Sequence, residues 1–566
     1  MKINTGKINS RIISEEIIFY YVLAMFTVLP LYLDNKFFNA VQAKLSIFLA
    51  ITIIALVLFA VFTVINKSYA QALSLFKKRE TLFLLSFVGI NIISAMLSYY
   101  PQTSLYGLKD RYNGVLLMIM YFIAFVLAAM YKSDDRRNLL IFFYSICAAI
   151  VYALAIINYF GIDPLHLYTN MSEQLKTIYV STIGNINFFG TFLCVSLPLF
   201  IYEALFANER KINIYYMILS ALGLAALVTA NSDSAYVGMA VALICIICAK
   251  RFCVKSAMRL MCILALFSVE CFAIGRAFKY ITNWNQQLRS LSGVLCTVPV
   301  SLAIFIVSTA IVIMVTMYTK HHKEIYDVNI YKLMRILSLS AICIAIALLA
   351  AINLLKPAFI LNSPLRDTLI FSDTWGSNRG YVWGRLIYLF KSASPMQKLF
   401  GTGPDTVTYL LNPHYTEYIV AFNGSTFDSA HNEYLQYLLS IGIVGLGAYL
   451  CFAASVLYSC FNGNNKAKSF GICVAAYLAQ AFFNISMPII TPILFVICGL
   501  CIAGNETDKK AQEKPDVKKI TYYALILAVF AIFAIGVGKT INSRYVDNIN
   551  VNEKSSFVIN QPNAVN

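Results

Sequence analysis

Residues 45–65 read LSIFLAITIIALVLFAVFTVI, a run without a charge, a proline or a glycine. A helix needs about 20 mostly apolar residues to cross the roughly 30 Å hydrocarbon core of a bilayer. The run is apolar on every side of a helical projection, so it predicts a span in lipid rather than an amphipathic surface helix. Working outward, the same signal recurs along the chain. Fifteen candidate spans follow, at about 17–33, 45–65, 81–99, 114–131, 138–160, 187–206, 213–230, 235–249, 257–275, 291–318, 336–355, 441–460, 470–485, 488–504 and 520–538. The fold class is therefore an all-α polytopic membrane protein with about 14–15 transmembrane helices.

Composition agrees. Of 566 residues, 59% are hydrophobic and 13% charged, with mean hydropathy +0.71; soluble domains average roughly 45–50% and 25%. Such a chain cannot supply the polar surface of a soluble enzyme, and it is far too apolar for disorder. The net charge of +17 in a membrane protein decorates cytoplasmic loops and does not argue for nucleic acid. With the N-terminus inside, the larger share of the Lys and Arg falls on the cytoplasmic side. Inner clusters are Lys77-Lys78-Arg79, Arg136-Arg137, Lys250-Arg251 and the Lys-rich stretch 509–519. The fourteen cysteines make no zinc pattern. The CxxC pairs Cys245/Cys248 and Cys498/Cys501 lie inside apolar runs and read as small buried hydrophobes. The first apolar run is long enough to span and has no small-residue cleavage site after it, so no removable signal is expected.

This orientation divides the chain into an N-terminal bundle of about 11 helices (1–355), a large extracytoplasmic loop with short helices (356–440), C-terminal spans (441–538) and an extracytoplasmic tail (539–566). Long loops are usually functional. The large one holds Trp375, Arg379, Tyr381, Trp383, Arg385, Tyr388, Asp405, Tyr409, His414, Tyr415, Tyr418, Asp428 and His431. Ser377 is placed to cap a helix from about Arg379 to Lys391, on which Arg379 and Trp383 share a face while Leu386, Ile387 and Phe390 form an apolar one suited to lie on the membrane. Gly401-Thr-Gly403-Pro404-Asp405 is a tight turn. His431-Asn432-Glu433-Tyr434-Leu435-Gln436 then runs into a span with Gly442, Gly445 and Gly447. A histidine at the outer boundary can serve as a base, donate to an anion or simply pack. Asp405, Asp428 and Glu433 are alternative bases that otherwise read as solvated loop charges. Glu203 and Glu270 sit near span ends, and mid-depth charge is sparse, unlike an ion-coupled carrier.

The ordered set of motifs resembles the O-antigen ligase and polymerase family. The run His431-Asn-Glu-Tyr-Leu-Gln436 with Gly442 and Gly445-Leu-Gly is similar to its signature. Arg379 with Trp383, Gly401-Thr-Gly403, Gly184-Asn185-Ile-Asn187, Asn484-Ile-Ser with Pro488 and Pro492, and Gly107-Leu-Lys-Asp-Arg111 are similar to further segments in the same order. The resemblance implies a GT-C-like membrane glycosyltransferase of the bacterial cytoplasmic membrane. It implies an undecaprenyl-pyrophosphate-linked glycan donor, a glycan, lipid or protein acceptor, and neither metal nor cofactor. His431 and Arg379 are the implied catalytic residues. Two departures stand out. The family's Glu before the first Gly after its Leu-Gln pair is here Ser440. The Arg that many members carry after the Gly-Asn-x-Asn span is missing from Thr229–Ser234, so a second phosphate-binding arginine comes from elsewhere, with Arg111, Arg276, Arg289 and Arg385 as candidates, or is absent. Asn185, Asn187, Trp383 and Gln436 complete the candidate substrate contacts, the two asparagines being equally suited to cap a span.

The chemistry fits these residue types. Guanidinium groups present a planar fork to phosphate oxygens and stay charged. An acceptor hydroxyl needs a nearby base, and His431 can be that base or a phosphate ligand. Ligase, repeat-unit polymerase and protein O-oligosaccharyltransferase share this pattern. A flippase predicts mid-depth charges and short outer loops instead, and a non-catalytic scaffold leaves the His/Arg pair without a role.

Overall fold

The computed structural model describes residues 5–66, 69–132, 136–281, 287–363, 366–411, 427–503, 526–529 and 531–539. His414, Tyr415, Tyr418, the Lys-rich stretch 509–519 and the tail beyond 539 lie outside them. The regular structure of the described residues is helical, apart from a two-stranded antiparallel ribbon pairing Tyr179–Val180 with Gly184–Asn185 and an isolated bridge between Cys253 and Asn329. Backbone N–H and C=O groups in lipid must be satisfied within the segment, which is why these apolar runs become helices.

Ten described helices are long and apolar enough to cross a membrane, and shorter apolar helices occupy Val115–Ala129, Asp233–Ile247, Thr491–Ala503 and Ile526–Lys539. These fourteen, with Asn465–Gln480, occupy the predicted spans with shifted ends. The run 291–318 divides: Ser290–Leu295 is a short helix, and Pro299 opens a second, Val298–His321. The helix expected at 257–275 runs over Val254–Ile281. Glu270 therefore sits well inside it rather than near its end, and its Oε2 is buried without a hydrogen-bond partner among the described residues.

The core joins helices from both ends of the sequence. Ile186–Phe206 packs on Arg210–Ala230 and Asn465–Gln480, Val115–Ala129 on Thr491–Ala503, and Arg79–Met96 on Glu433–Asn462. Tyr331–Leu355, in contrast, has none of its apolar window buried. One polar contact explains how the first helix ends. Pro30 interrupts its ladder, and buried Lys44 Nζ, from the next helix, donates to the carbonyls of Leu29 (2.8 Å) and Pro30 (2.6 Å). Thr182 Oγ1 donates to the latter as well.

The helix Glu433–Asn462 positions the site. It is broken at Gly442, where φ is +71° and ψ −175°. A short helical piece carrying Glu433 to Ile441 is thereby set apart from the longer remainder. A Cβ on Gly442 would lie 2.1 Å from the Leu399 carbonyl oxygen. Only glycine combines that approach with a positive φ. The Gly401–Gly403 turn docks on this break, with Thr402 N donating to Leu439 O (3.0 Å) and Gly403 N to Ser440 O (2.9 Å).

Candidate active site

The large loop begins its site with a helix. Trp375–Ser392 is nominally continuous, but Gly376, Ser377 and Asn378 have left-handed backbone, so the regular helix starts at Arg379. Ser377 therefore does not cap it from an extended conformation as expected. The apolar face is also differently placed. Tyr381, Val382, Trp383 and Leu386 are buried against Val407, Leu411, Phe427, Ala430 and Leu439, while Ile387 is exposed. The helix packs inward on the loop's own small core, which takes up Leu386 and part of Phe390 from the face expected to lie on the membrane.

That core fixes His431. Trp383 Nε1 donates to Ala430 O (2.9 Å), and Ala430 N donates to Gln436 Oε1 (3.0 Å). The residue before the histidine is thus clamped from both sides. His431 itself has φ +45°, and Asn432 then caps the next helix, its Oδ1 accepting from Tyr434 N and Leu435 N at 3.0 Å each. Trp383 and Gln436, read from sequence as substrate contacts, here hold the histidine segment.

Arg111 arrives from the other half of the chain. It is 3% exposed in the loop after Pro101–Tyr106. Its Nη1 donates to Asp428 O (2.5 Å) and lies 3.4 Å from Asp428 Oδ1; its Nε lies 3.3 Å from Asp405 Oδ1. Asp405 is buried and accepts on Oδ2 from Leu108 N (2.8 Å) and Asn113 N (3.2 Å). It is a structural partner of Arg111, not a solvated loop charge. Burial raises its pKa, with Arg111 and the two backbone donors opposing. Burial also acts to raise that of Asp428, but Arg111, His431 and the Ser429 hydroxyl outweigh it and hold the carboxyl below its ordinary value.

Asp428 Oδ1 is 4.0 Å from His431 Nε2. Desolvation pulls the imidazole pKa below its ordinary value; Asp428 opposes, and the charges of Arg379 and Arg111 add to the lowering. The imidazole is accordingly neutral at pH 7 and keeps a lone pair. Arg379 donates from Nη1 to Gly376 O (2.8 Å). Desolvation lowers its pKa, and Asp233, at the start of Asp233–Ile247, opposes; a guanidinium nonetheless stays charged. Arg111 Nη2 and Arg379 Nε are buried with no hydrogen-bond partner among the described residues. Two cations with unused donors therefore act on one neutral histidine.

The remaining candidates are engaged elsewhere. Arg385 pairs with Asp373 (2.9 Å) and stacks 3.5 Å over the Tyr381 ring. Arg276 is exposed, 5.7 Å from the Phe272 ring centroid. Arg289 is exposed at the start of Ser290–Leu295, its backbone N donating to Asn231 Oδ1 (2.8 Å). Asn185 caps Ile186–Phe206 by accepting from Asn187 N (2.9 Å). Asn187 accepts on Oδ1 from Ser232 (3.0 Å) and on its carbonyl from Gln480 and Asn484. Both asparagines thus tie helix ends together.

Glu433 was the least legible residue. Read as a solvated charge, it is instead 2% exposed, accepting from Tyr449 (2.6 Å) on Oε1 and Tyr477 (2.9 Å) on Oε2. It lines the same internal cavity as Ser440, two helical turns on, which stands where the resemblance calls for an acid. The available signal was that spacing of seven along one helix face. Among the described residues no group of three or more His, Cys, Asp or Glu could hold a metal ion.

A family model described as O-antigen ligase matches residues 290–450, the segment carrying Arg379, the Gly401–Gly403 turn and His431. No curated protein matches the chain.

Proposed function

With residues 290–450 similar to the O-antigen ligase family, we propose that this protein transfers a glycan from undecaprenyl pyrophosphate to an acceptor hydroxyl at the outer face of the bacterial cytoplasmic membrane. The carrying observation is the pair of guanidiniums, buried Arg111 and half-buried Arg379, each with a buried donor unused, whose charges act on His431 and lower its pKa. Arg111 takes the place of the arginine missing from Thr229–Ser234.

In this reading the acceptor oxygen attacks the anomeric carbon while the bond to pyrophosphate breaks. The electron pair leaves on the pyrophosphate oxygen. Arg111 and Arg379 meet the charge that builds there, and at partly desolvated groups such contacts count for more than in water. His431 accepts the hydroxyl proton. Asp428, 4.0 Å away, then stabilises the imidazolium until the proton passes to solvent.

The test is the lipid-linked glycan pool in cells lacking the protein and complemented with wild type, Arg111→Ala, Arg379→Ala or His431→Ala. Each variant, present at normal membrane level, is expected to reproduce the deletion. Long chains left on the carrier identify a ligase, and single repeat units identify a polymerase. An unchanged pool in the deletion strain overturns glycan transfer and leaves the transporter reading.

A further inference from the structure

Beside the Arg111–Asp405 pair lies a cavity of about 20 Å³, with Asn113, Asp405, Glu433, Gln436, Ser440 and Ser486 in its wall. That is room for one water molecule and no more. Glu433 has its oxygens occupied by Tyr449 and Tyr477, and Gln436 Oε1 by Ala430 N. Three polar atoms of other wall residues are different. Asn113 Oδ1 and Ser440 Oγ are buried with no hydrogen-bond partner among the described residues, and Asp405 Oδ1, ion-paired with Arg111 Nε at 3.3 Å, accepts no hydrogen bond there either. Asn113, Asp405 and Ser440 are 9%, 3% and 2% exposed. A buried polar atom without a hydrogen bond is costly, and native proteins rarely leave several together. Two of the atoms accept only; the third is a hydroxyl that can donate. A water molecule, with two hydrogens to give and a lone pair to offer, is the complement of that set.

We propose that this cavity holds one ordered water, bound by Asn113, Asp405 and Ser440, and that through it Asn113 and Ser440 are positioning residues for Arg111. Asp405 is the link. Its Oδ2 is fixed by Leu108 N and Asn113 N, whereas its Oδ1, 3.3 Å from Arg111 Nε, has no other anchor. The water fixes that oxygen and with it the plane in which the guanidinium fork is presented. Asn113 completes the frame, its Nδ2 donating to Ser486 O (2.5 Å). The positioning role rests on the reading of Arg111 as a pyrophosphate ligand; the hydration itself does not.

Ser440→Val fills the cavity with methyl groups and expels the water, whereas Ser440→Ala leaves it room. The backbone carbonyl of Ser440, which Ser94 and Gly403 use, is unaffected by either. In a transfer assay Ser440→Val is expected to raise KM for the lipid-linked donor about tenfold, the scale of one lost buried hydrogen bond, with kcat within about twofold. Ser440→Ala, which keeps room for the water but removes its hydroxyl partner, should give a rise in KM between those of wild type and Ser440→Val. Electron cryo-microscopy of the full chain in nanodiscs, at a resolution that shows ordered water, should place density in the wild-type cavity. A dry wild-type cavity overturns the proposal whatever the kinetics, and this holds even where Ser440→Val does not fold. A hydrated cavity with an unchanged KM in folded Ser440→Val overturns the positioning role. A hydrated cavity with an unchanged KM in Arg111→Ala overturns the pyrophosphate reading of Arg111, and the positioning role with it, while the water site stands.

Discussion

Arg379 and His431 act on each other electrostatically under opposite requirements, and each can be tested alone. Arg379 has one donor on Gly376 O and a buried Nε without a partner among the described residues, so its fork is free to take a planar anion. Lysine keeps the charge but offers a single point. Arg379→Lys is therefore expected to lose about a hundredfold in kcat, close to Arg379→Ala, as is typical for removing one preorganised donor from a transition state. His431 needs its lone pair. Its pKa is lowered by burial and by the two guanidiniums, so the neutral form persists as pH falls and positive charge is gained only below the ordinary histidine value of about 6.5. The acid limb of kcat/KM, which reports the free enzyme, should lie below 6.5. Bound pyrophosphate adds negative charge beside the imidazole, so the limb of kcat should lie higher than that of kcat/KM. A phosphate-binding imidazolium would give the reverse dependence, with activity rising as pH falls through the histidine pKa.

At the scale of elements, the histidine owes its place to a break in a helix. The Gly442 kink leaves Glu433–Ile441 as a short piece onto which the Gly401–Gly403 turn docks. Gly442→Ala puts a methyl 2.1 Å from the Leu399 carbonyl oxygen at a positive φ. Left-handed strain alone costs about 1–3 kcal/mol, and the collision adds to it. Thermal unfolding in detergent should show a clear drop in stability, and kcat should fall with it because the turn carries Asp405, the partner of Arg111. Gly447, with no neighbour near its missing Cβ, is the control: Gly447→Ala should leave both unchanged. The glycines were visible in the sequence, but nothing local says which of them another backbone approaches.

For the whole molecule, the orientation drawn from Lys and Arg predicts where each loop lies. Cys residues introduced at Ser394, in the large loop, and at Lys323, between Val298–His321 and Tyr331–Leu355, should react with a membrane-impermeant thiol reagent on opposite terms. Ser394→Cys is expected to be labelled in intact cells and Lys323→Cys only after permeabilisation. The reverse pattern would put the site on the cytoplasmic face and remove the proposed reaction from the outer surface.

The spans were legible because hydropathy is a local property: a run such as 45–65 must be helical in lipid whatever surrounds it. The large loop, Arg379 and His431 were legible for the same reason, as polar residues standing out against an apolar chain. The charge pairing was not. Arg111 and Asp428 are 317 positions apart, and Asn113 and Asp405 292; no spacing rule reaches that far. Of Arg111, Arg276, Arg289 and Arg385, folding set Arg111 against Asp405 and Asp428 and close enough to His431 for its charge to act there, with part of its guanidinium unused. The same packing buried Asp405 and Glu433, whose flanking residues gave them the look of surface charges. Desolvation belongs to the folded environment of a group rather than to its sequence neighbours, so tertiary structure alone decided which acids are buried and which arginine they pair with.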